Sequence, residues 1–290
     1  MTFRAAAVQM CSGTDPERNI RAMTGLVRDA AARGATYIQT PEMTGALQRN
    51  RQDLMASLRT EDHDPVVKAA SGLASDLGIY LHVGSTAIDR GDGFIANRGF
   101  LFGPRGDKVL SYDKIHMFDV DLANGESWRE SAVYSPGAEV RTASLPFAEL
   151  GFAICYDVRF PELFRAQAVE GIQVMTLPAA FTKQTGEAHW HVLLRARAIE
   201  NGMFLIAAAQ AGKHEDGRET YGHSLIVDPW GQVLAEAGPE GEAVIVADID
   251  LDAVGTARQR IPNLRNARPF ALAPRVERSD EPALRPGAVA

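Results

Sequence analysis

The stretch LGFAICYDVRFPELFRAQAVEGIQVMTL, residues 150–177, runs from an apolar strand into a helix and back into an apolar strand. The apolar run 150–155 is short enough for a buried strand, and the Pro-Glu pair at 161–162 marks the helix start. The spacing predicts a helix over 161–170 and a strand over 172–177. A helix over 187–201 and a strand over 203–209 continue the alternation. The same order occurs earlier in the chain. A strand at 5–10 precedes a helix opened by Asp15 and Pro16, with Ile20, Met23, Val27, Ala30 and Ala31 on one face and Gly34 as its stop. A strand at 36–40, a helix over 66–77 ended by Gly78, and a strand at 79–85 follow. Each series then adds strands: 95–102 and 107–112 around the turn GPRGD, and SLIVD, GQVLAEA and finally EAVIVADID in the second. Only the order of elements repeats, with no repeat of sequence. The expectation is an α/β protein of two similar layered halves, their sheets face to face and helices outside. Residues 113–140 read as loop. The Pro- and Ala-rich tail from about 271 reads as disordered or as laid across a partner subunit.

The chain has 290 residues, 46% hydrophobic and 23% charged, with a formal net charge of -7. That balance is ordinary for a globular protein and gives no electrostatic footprint for nucleic acid. No run approaches the roughly 18 apolar residues of a membrane span, and the N-terminus lacks a signal-peptide pattern. Cys11 and Cys155 are the only cysteines, so no disulfide framework or cysteine metal site is legible. HWH at 189–191 has the wrong spacing for two ligands on one helical face, and no metal site is expected. A reducing, cytoplasmic setting is the default expectation.

Chemistry-bearing residues fall where open α/β sheets hold their ligands, just beyond the carboxyl ends of strands. Glu42 follows strand 36–40 after Pro41, Cys155 closes strand 150–155 in an equivalent place, and Lys114 follows strand 107–112. A thiol of ordinary pKa is protonated at neutral pH and needs a base and a cation nearby. A glutamate can take its proton and return it to a leaving amine. A lysine can hold the developing oxyanion, with the N–H of Tyr156 as second donor. Spacing alone also admits a core cysteine and a solvated glutamate and lysine. Arg159 reads as a fork for a substrate carboxylate or as an ion-pair partner of Glu162 or Asp157. The Tyr156 ring reads as core, and Cys11 as a loop residue. Arg197 and Glu200 read as an i, i+3 ion pair. Trp190 reads as core or subunit interface, and His223 as a hydrogen-bonding strand residue.

TPEM around Glu42, YDKIHMFD around Lys114 and ICYDVRFPEL around Cys155, in that order, resemble the nitrilase superfamily of carbon–nitrogen hydrolases. The likeness runs from residue 4 to about 270, which sets a hydrolase domain at 1–270 and a tail at 271–290. TGALQ after TPEM departs from the usual pattern. The resemblance implies a four-layer α-β-β-α sandwich, a Glu42-Lys114-Cys155 triad, no cofactor, and a homodimer or higher homo-oligomer. It also implies a second glutamate beside the triad, matched by Glu130 in SWRESAVYSPG, with Glu126 four residues earlier as the alternative. Residues 186–231 resemble the Nit branch of amidases. AAQAGKHEDGRETYGHS, residues 208–224, looks nearer to its deaminated glutathione amidases than to its ω-amidases. The implied substrate is a small amide carrying carboxylates. Lys183, Lys213 and Arg218, in loops that could frame a pocket, are candidate anion contacts. So is His214. Their alternative is plain solvation.

Overall fold

Strand and helix alternate in the computed structural model, which describes residues 1–122, 125 and 127–275, and the strands assemble into two six-stranded sheets. The first half comprises β1 (Thr2–Gln9), α1 (Pro16–Ala32), β2 (Tyr37–Gln39), α2 (Arg51–Ser57), α3 (Pro65–Leu77), β3 (Tyr80–Asp89), β4 (Ile95–Phe102) and β5 (Lys108–Asp113). A short hairpin, β6 (Asp119–Asp121) and β7 (Ser127–Arg129), interrupts the segment expected as loop. The second half comprises β8 (Thr142–Leu145), β9 (Ala148–Phe152), α4 (Pro161–Val169), β10 (Val174–Thr176), α5 (Lys183–Asn201) and β11 (Phe204–Ala207). The hairpin β12 (Ala211–Lys213) and β13 (Glu219–Tyr221) precedes β14 (Leu225–Val227) and β15 (Val233–Glu236). Last come β16 (Ala243–Asp250), α6 (Asp252–Arg260) and α7 (Asn263–Asn266).

The sheets have matching orders, β16-β1-β2-β3-β4-β5 and β8-β9-β10-β11-β14-β15. Each has a parallel core, β1-β2-β3 or β9-β10-β11, flanked by antiparallel strands. The final strand therefore leaves the second half and closes the first sheet, pairing antiparallel from Thr2↔Asp250 to Gln9↔Ala243.

Side-chain alternation explains the layering. Along β1, Phe3, Ala5 and Ala7 face the second sheet, in one core with Tyr37, Phe152 and Leu205. Ala6 and Val8 point the other way, onto Met23 and Val27 of α1 and Ala70 and Leu73 of α3. The outer layers are thus α1 with α3 on one side and α4 with α5 on the other, giving the four-layer α-β-β-α sandwich of two similar halves. Buried polar groups stitch the two sheets: Gln39 Oε1 accepts the Ala208 N–H at 2.9 Å, and Gln9 Oε1 accepts that of Ser224 at 3.0 Å. His82 lies edge-on to Phe152 across the same interface, and burial pushes its pKa down to about 3, so the imidazole stays neutral.

Helix bounds follow the caps. Asp15 accepts the Glu17 N–H at the start of α1. Asp64 accepts those of Val66 and Val67 at the start of α3, which Gly78 ends at φ +64°. Two expected bounds next to the site shift. The second-half helix begins at Lys183 rather than 187, and the strand expected at 150–155 ends at Phe152. Among the described residues, no helix is long and apolar enough to cross a membrane.

Candidate active site

The ends of β2, β5 and β9 open onto one cavity of about 270 Å³, lined by Glu42, Lys114, Glu130 and Cys155. The segment after β2 and the segment after β10 meet on Gly84. A Cβ there would lie 2.3 Å from the Thr40 carbonyl oxygen and 2.4 Å from Pro178 Cβ, so only glycine admits both chains. Pro178 in turn accepts the Cys155 N–H at 2.9 Å. Cys155 does not close its strand as expected. It opens a 3₁₀ turn with φ +47°, in left-handed space that costs a non-glycine residue roughly 1–2 kcal/mol. Met43, beside Glu42, is also left-handed at φ +54°. Nor are the two strands equivalent: β2 is the middle strand of its parallel triplet and β9 the outer one of its own.

Lys114 is 2% exposed and stands between two carboxylates. Its Nζ lies 2.9 Å from Glu42 Oε1 and 2.8 Å from Glu130 Oε2. Burial alone would favour a neutral amine, but the charges of Glu130 and Glu42 hold its pKa well above the usual lysine value. Burial would likewise push the Glu42 carboxyl up. Its ion pair and hydrogen bond with Lys114, aided by hydrogen bonds from Cys155 and Asn97, pull it below the ordinary value instead. Burial, then the Glu42 charge, push the Cys155 thiol well above its ordinary pKa against the opposing pull of Lys114. The set is therefore one ammonium, two carboxylates and a neutral thiol beside a base.

Groups that spacing could not suggest complete the frame. Asn97 on β4 donates from one amide nitrogen to Glu42 Oε1 at 2.8 Å and Glu130 Oε1 at 3.2 Å. The Ala180 N–H donates to Glu42 Oε2 at 2.8 Å, and the Phe118 N–H to Glu130 Oε2 at 2.7 Å. Asp157, fully buried, accepts from Tyr112 Oη at 2.8 Å, from the His116 N–H at 3.0 Å and from the Ile154 N–H at 2.8 Å. It thereby joins the Lys114 loop to the cysteine turn. Only a strand register pairing β4 with β5 could have flagged Asn97 from sequence.

Arg218 reaches the cavity, paired with Asp216 at 2.6 Å and stacked 5.3 Å over Trp128. Arg49 stacks on the same indole at 4.9 Å and also lines the mouth, as does Arg51. Neither arginine was singled out from sequence, because they lie in the polar connection after TPEM. Tyr156 lines the cavity, its ring packed on Phe118 and Phe160. Its N–H, near the start of the 3₁₀ turn, has no acceptor within that turn. Arg159, Lys183 and Lys213 stand off the lining. Arg159 pairs neither with Glu162 nor with Asp157, but lies over Phe181 with Nη1 3.2 Å from His189 Nδ1. Lys183 starts α5 and Lys213 ends β12, both exposed. His214 is buried between Ser12 and Thr220. Glu126 lies outside the described residues, as do residues 276–290 of the tail. Arg197 pairs with Glu200 at 2.8 Å and also donates to the Val158 carbonyl, tying α5 to the cysteine turn.

The carbon-nitrogen hydrolase family profile matches residues 4–259. A deaminated glutathione amidase of Yersinia enterocolitica is 35% identical, over 95% of this chain and 97% of its own. An omega-amidase of Mus musculus is also 35% identical, over 92% of this chain and 95% of its own. Among solved structures, an amidase from Nesterenkonia sp. AN1 superposes with a TM-score of 0.73 at 28% identity, over 91% of this chain and 99% of its own. In that glutamate-to-glutamine mutant, acrylamide has added to the active-site cysteine by Michael addition.

Proposed function

Because this chain belongs to the carbon–nitrogen hydrolase family, we propose that it is a cysteine amidase that splits deaminated glutathione into 2-oxoglutarate and cysteinylglycine. The observation that carries the reading is the Lys114 ammonium held between Glu42 and Glu130 beside a neutral thiol. Cys155 Sγ attacks the amide carbonyl carbon as its proton passes to Glu42. Negative charge develops on the carbonyl oxygen, where a Lys114 proton and the Tyr156 N–H receive it. Loss of one such donor typically costs about 2.7–4 kcal/mol of transition-state stabilisation. Glu42 then gives the proton to the amine nitrogen, the carbon–nitrogen bond breaks, and cysteinylglycine leaves a thioester on Cys155. Water enters, Glu42 takes one of its protons, and the hydroxide equivalent attacks the thioester. The acid departs and the proton returns to the thiol. Glu130 keeps Lys114 charged and placed. The steps call for no cofactor.

The basic mouth supports the larger substrate. Arg218 and Arg49 flank Trp128 in the cavity lining, where a guanidinium suits a substrate carboxylate. Arg159, Lys183 and Lys213 are not among the lining residues and take no part in this reading. A second reading, ω-amidase action on 2-oxoglutaramate, has the equal identity of the mouse relative in its favour. The same reading takes residues 1–270 as the hydrolase domain with 271–290 as its tail, in a cytoplasmic homodimer or higher homo-oligomer. Exposed Val192 and Ile199 on α5 and exposed Trp230 support self-association.

Release of 2-oxoglutarate from the two substrates, measured side by side with Cys155→Ala as control, tests the proposal. Preference for deaminated glutathione, weakened by Arg218→Ala chiefly through KM, is the expected result. Preference for 2-oxoglutaramate makes the protein an ω-amidase, and inactivity on both overturns the substrate assignment.

A further inference from the structure

Away from the cavity, His191 in the middle of α5, His223 just beyond β13 and Glu236 at the end of β15 converge on one point. His191 Nε2 lies 2.9 Å and His223 Nδ1 2.7 Å from the same carboxylate oxygen, Glu236 Oε1. All three donor atoms lie within 4.8 Å of one another. His223 is left-handed at φ +53°, the third such non-glycine residue among those described, after Met43 and Cys155 beside the thiol. Its carbonyl accepts the Trp190 Nε1–H at 2.8 Å, and Tyr221 stacks on its ring at 4.4 Å. The ring is thus held in position from both its backbone and its face.

We propose that His191, His223 and Glu236 bind one divalent transition-metal ion of the zinc class. Two imidazoles and a carboxylate are a donor set that zinc takes when its fourth position is left to water. Calcium and magnesium, which want oxygen ligands, fit it poorly. Tetrahedral bonds of about 2.0–2.1 Å place neighbouring donors about 3.3 Å apart. The two nitrogen–oxygen separations open by about half an ångström, which a partly exposed glutamate can supply, and the two ring nitrogens, now within 4.8 Å of each other, draw together to the same spacing. On binding, each ring takes the tautomer with its proton on the nitrogen away from Glu236, so that Nε2 of His191 and Nδ1 of His223 ligate as neutral imidazole, and any further ring proton passes to solvent. The HWH spacing argument excludes His189 as a ligand with His191, but does not reach ligands supplied by distant strands. The ion would pin α5 to β15 and to the segment after β13. Glu219 and Thr220 of β13 line the cavity, as does Thr185 of α5. The site is therefore a brace for the cavity wall, independent of the amidase reading.

The test is cobalt(II) titration of the full chain carrying Cys155→Ala and Cys11→Ser, which removes both thiols as competing ligands. One Co²⁺ per chain with visible absorption of a nitrogen–oxygen site is expected, and Zn²⁺ should displace it and raise the Tm. His191→Ala and Glu236→Gln should each weaken Co²⁺ binding at least about 100-fold, the upper range of losses from outer-shell changes alone. On the wild-type background, His191→Ala should leave metal-free amidase activity intact. Both altered side chains are partly exposed, and neither sits in a strained turn as His223 does, so these variants should keep the native circular dichroism. Absence of saturable binding, or equal affinity in the two variants and their parent, overturns the site.

Discussion

With Glu42 and Glu130 ionised around a single ammonium, the site carries net negative charge before substrate arrives, and that charge decides which proton moves first. A thiolate would add a second uncompensated charge in a buried place, so the proton stays on sulfur until the attack. The signs follow group by group. The Glu42 pKa is depressed, so its contribution to stability is present above the ordinary carboxyl value and lost as pH falls through the lower one. The Lys114 and Cys155 pKa values are raised, so theirs are present below the ordinary values and lost as pH rises through the higher ones. From about pH 6 to 8 all three groups keep one protonation state, and kcat/KM should be flat across that window. A rate that climbs through about 8.5, where an ordinary thiol ionises, would show attack by a pre-formed thiolate. Glu42, Lys114 and Cys155 were legible as candidates because each sits in a compact motif, whereas Glu130 came only through the family resemblance, with Glu126 as its alternative. Asn97 and the Ala180 N–H were not, since a strand partner and a backbone amide carry no motif of their own. Cys155 was misplaced onto its strand because residues 152–155 are all apolar, and nothing in side-chain hydrophobicity signals a left-handed turn.

Positions at the ends of elements matter more to this site than the elements themselves. Gly84 lies in β3 where its pairing with β4 shifts register between Val83 and Thr86, and there the Thr40–Pro41 and Pro178 chains close on it. One methyl group must push the Glu42 loop away from Pro178, whose carbonyl holds the Cys155 N–H. Gly84→Ala should cost about 1–3 kcal/mol of stability, as overpacking does, and reduce kcat by at least tenfold. Chemical denaturation and steady-state kinetics on one preparation would check both; unchanged kcat would separate the glycine from the site. The long helices were legible through caps and periodicity. The short pieces, α2 and the hairpins β6-β7 and β12-β13, were not. Two or three residues of strand cannot display a period, and the contacts that stabilise them come from other parts of the chain.

On the scale of the whole molecule, the chain is stitched end to end. β16 lies in the first sheet beside β1, with Arg4 bonded to Asp248 through both Nε and Nη2 at its outer side. Reading two halves in order assigned that last strand to the second half; the alternation repeats, but alternation does not say which sheet edge a final strand joins. A chain truncated before Ala243 loses the eight-residue partner of β1 and exposes its edge. It should lose cooperative unfolding and aggregate, as judged by circular dichroism and size-exclusion chromatography. A soluble, cooperatively folding truncation would show that β16 is dispensable to the first sheet. The four layers were legible from element order and the family resemblance together.

Deaminated glutathione and 2-oxoglutaramate would leave the same 2-oxoglutaryl group on Cys155, so partition of that intermediate between water and hydroxylamine tests the central claim most directly. The account predicts one ratio of hydroxamate to acid from both substrates, and no product of either kind from Cys155→Ala. Ratios that differ between the substrates, or turnover that survives loss of the thiol, would contradict it.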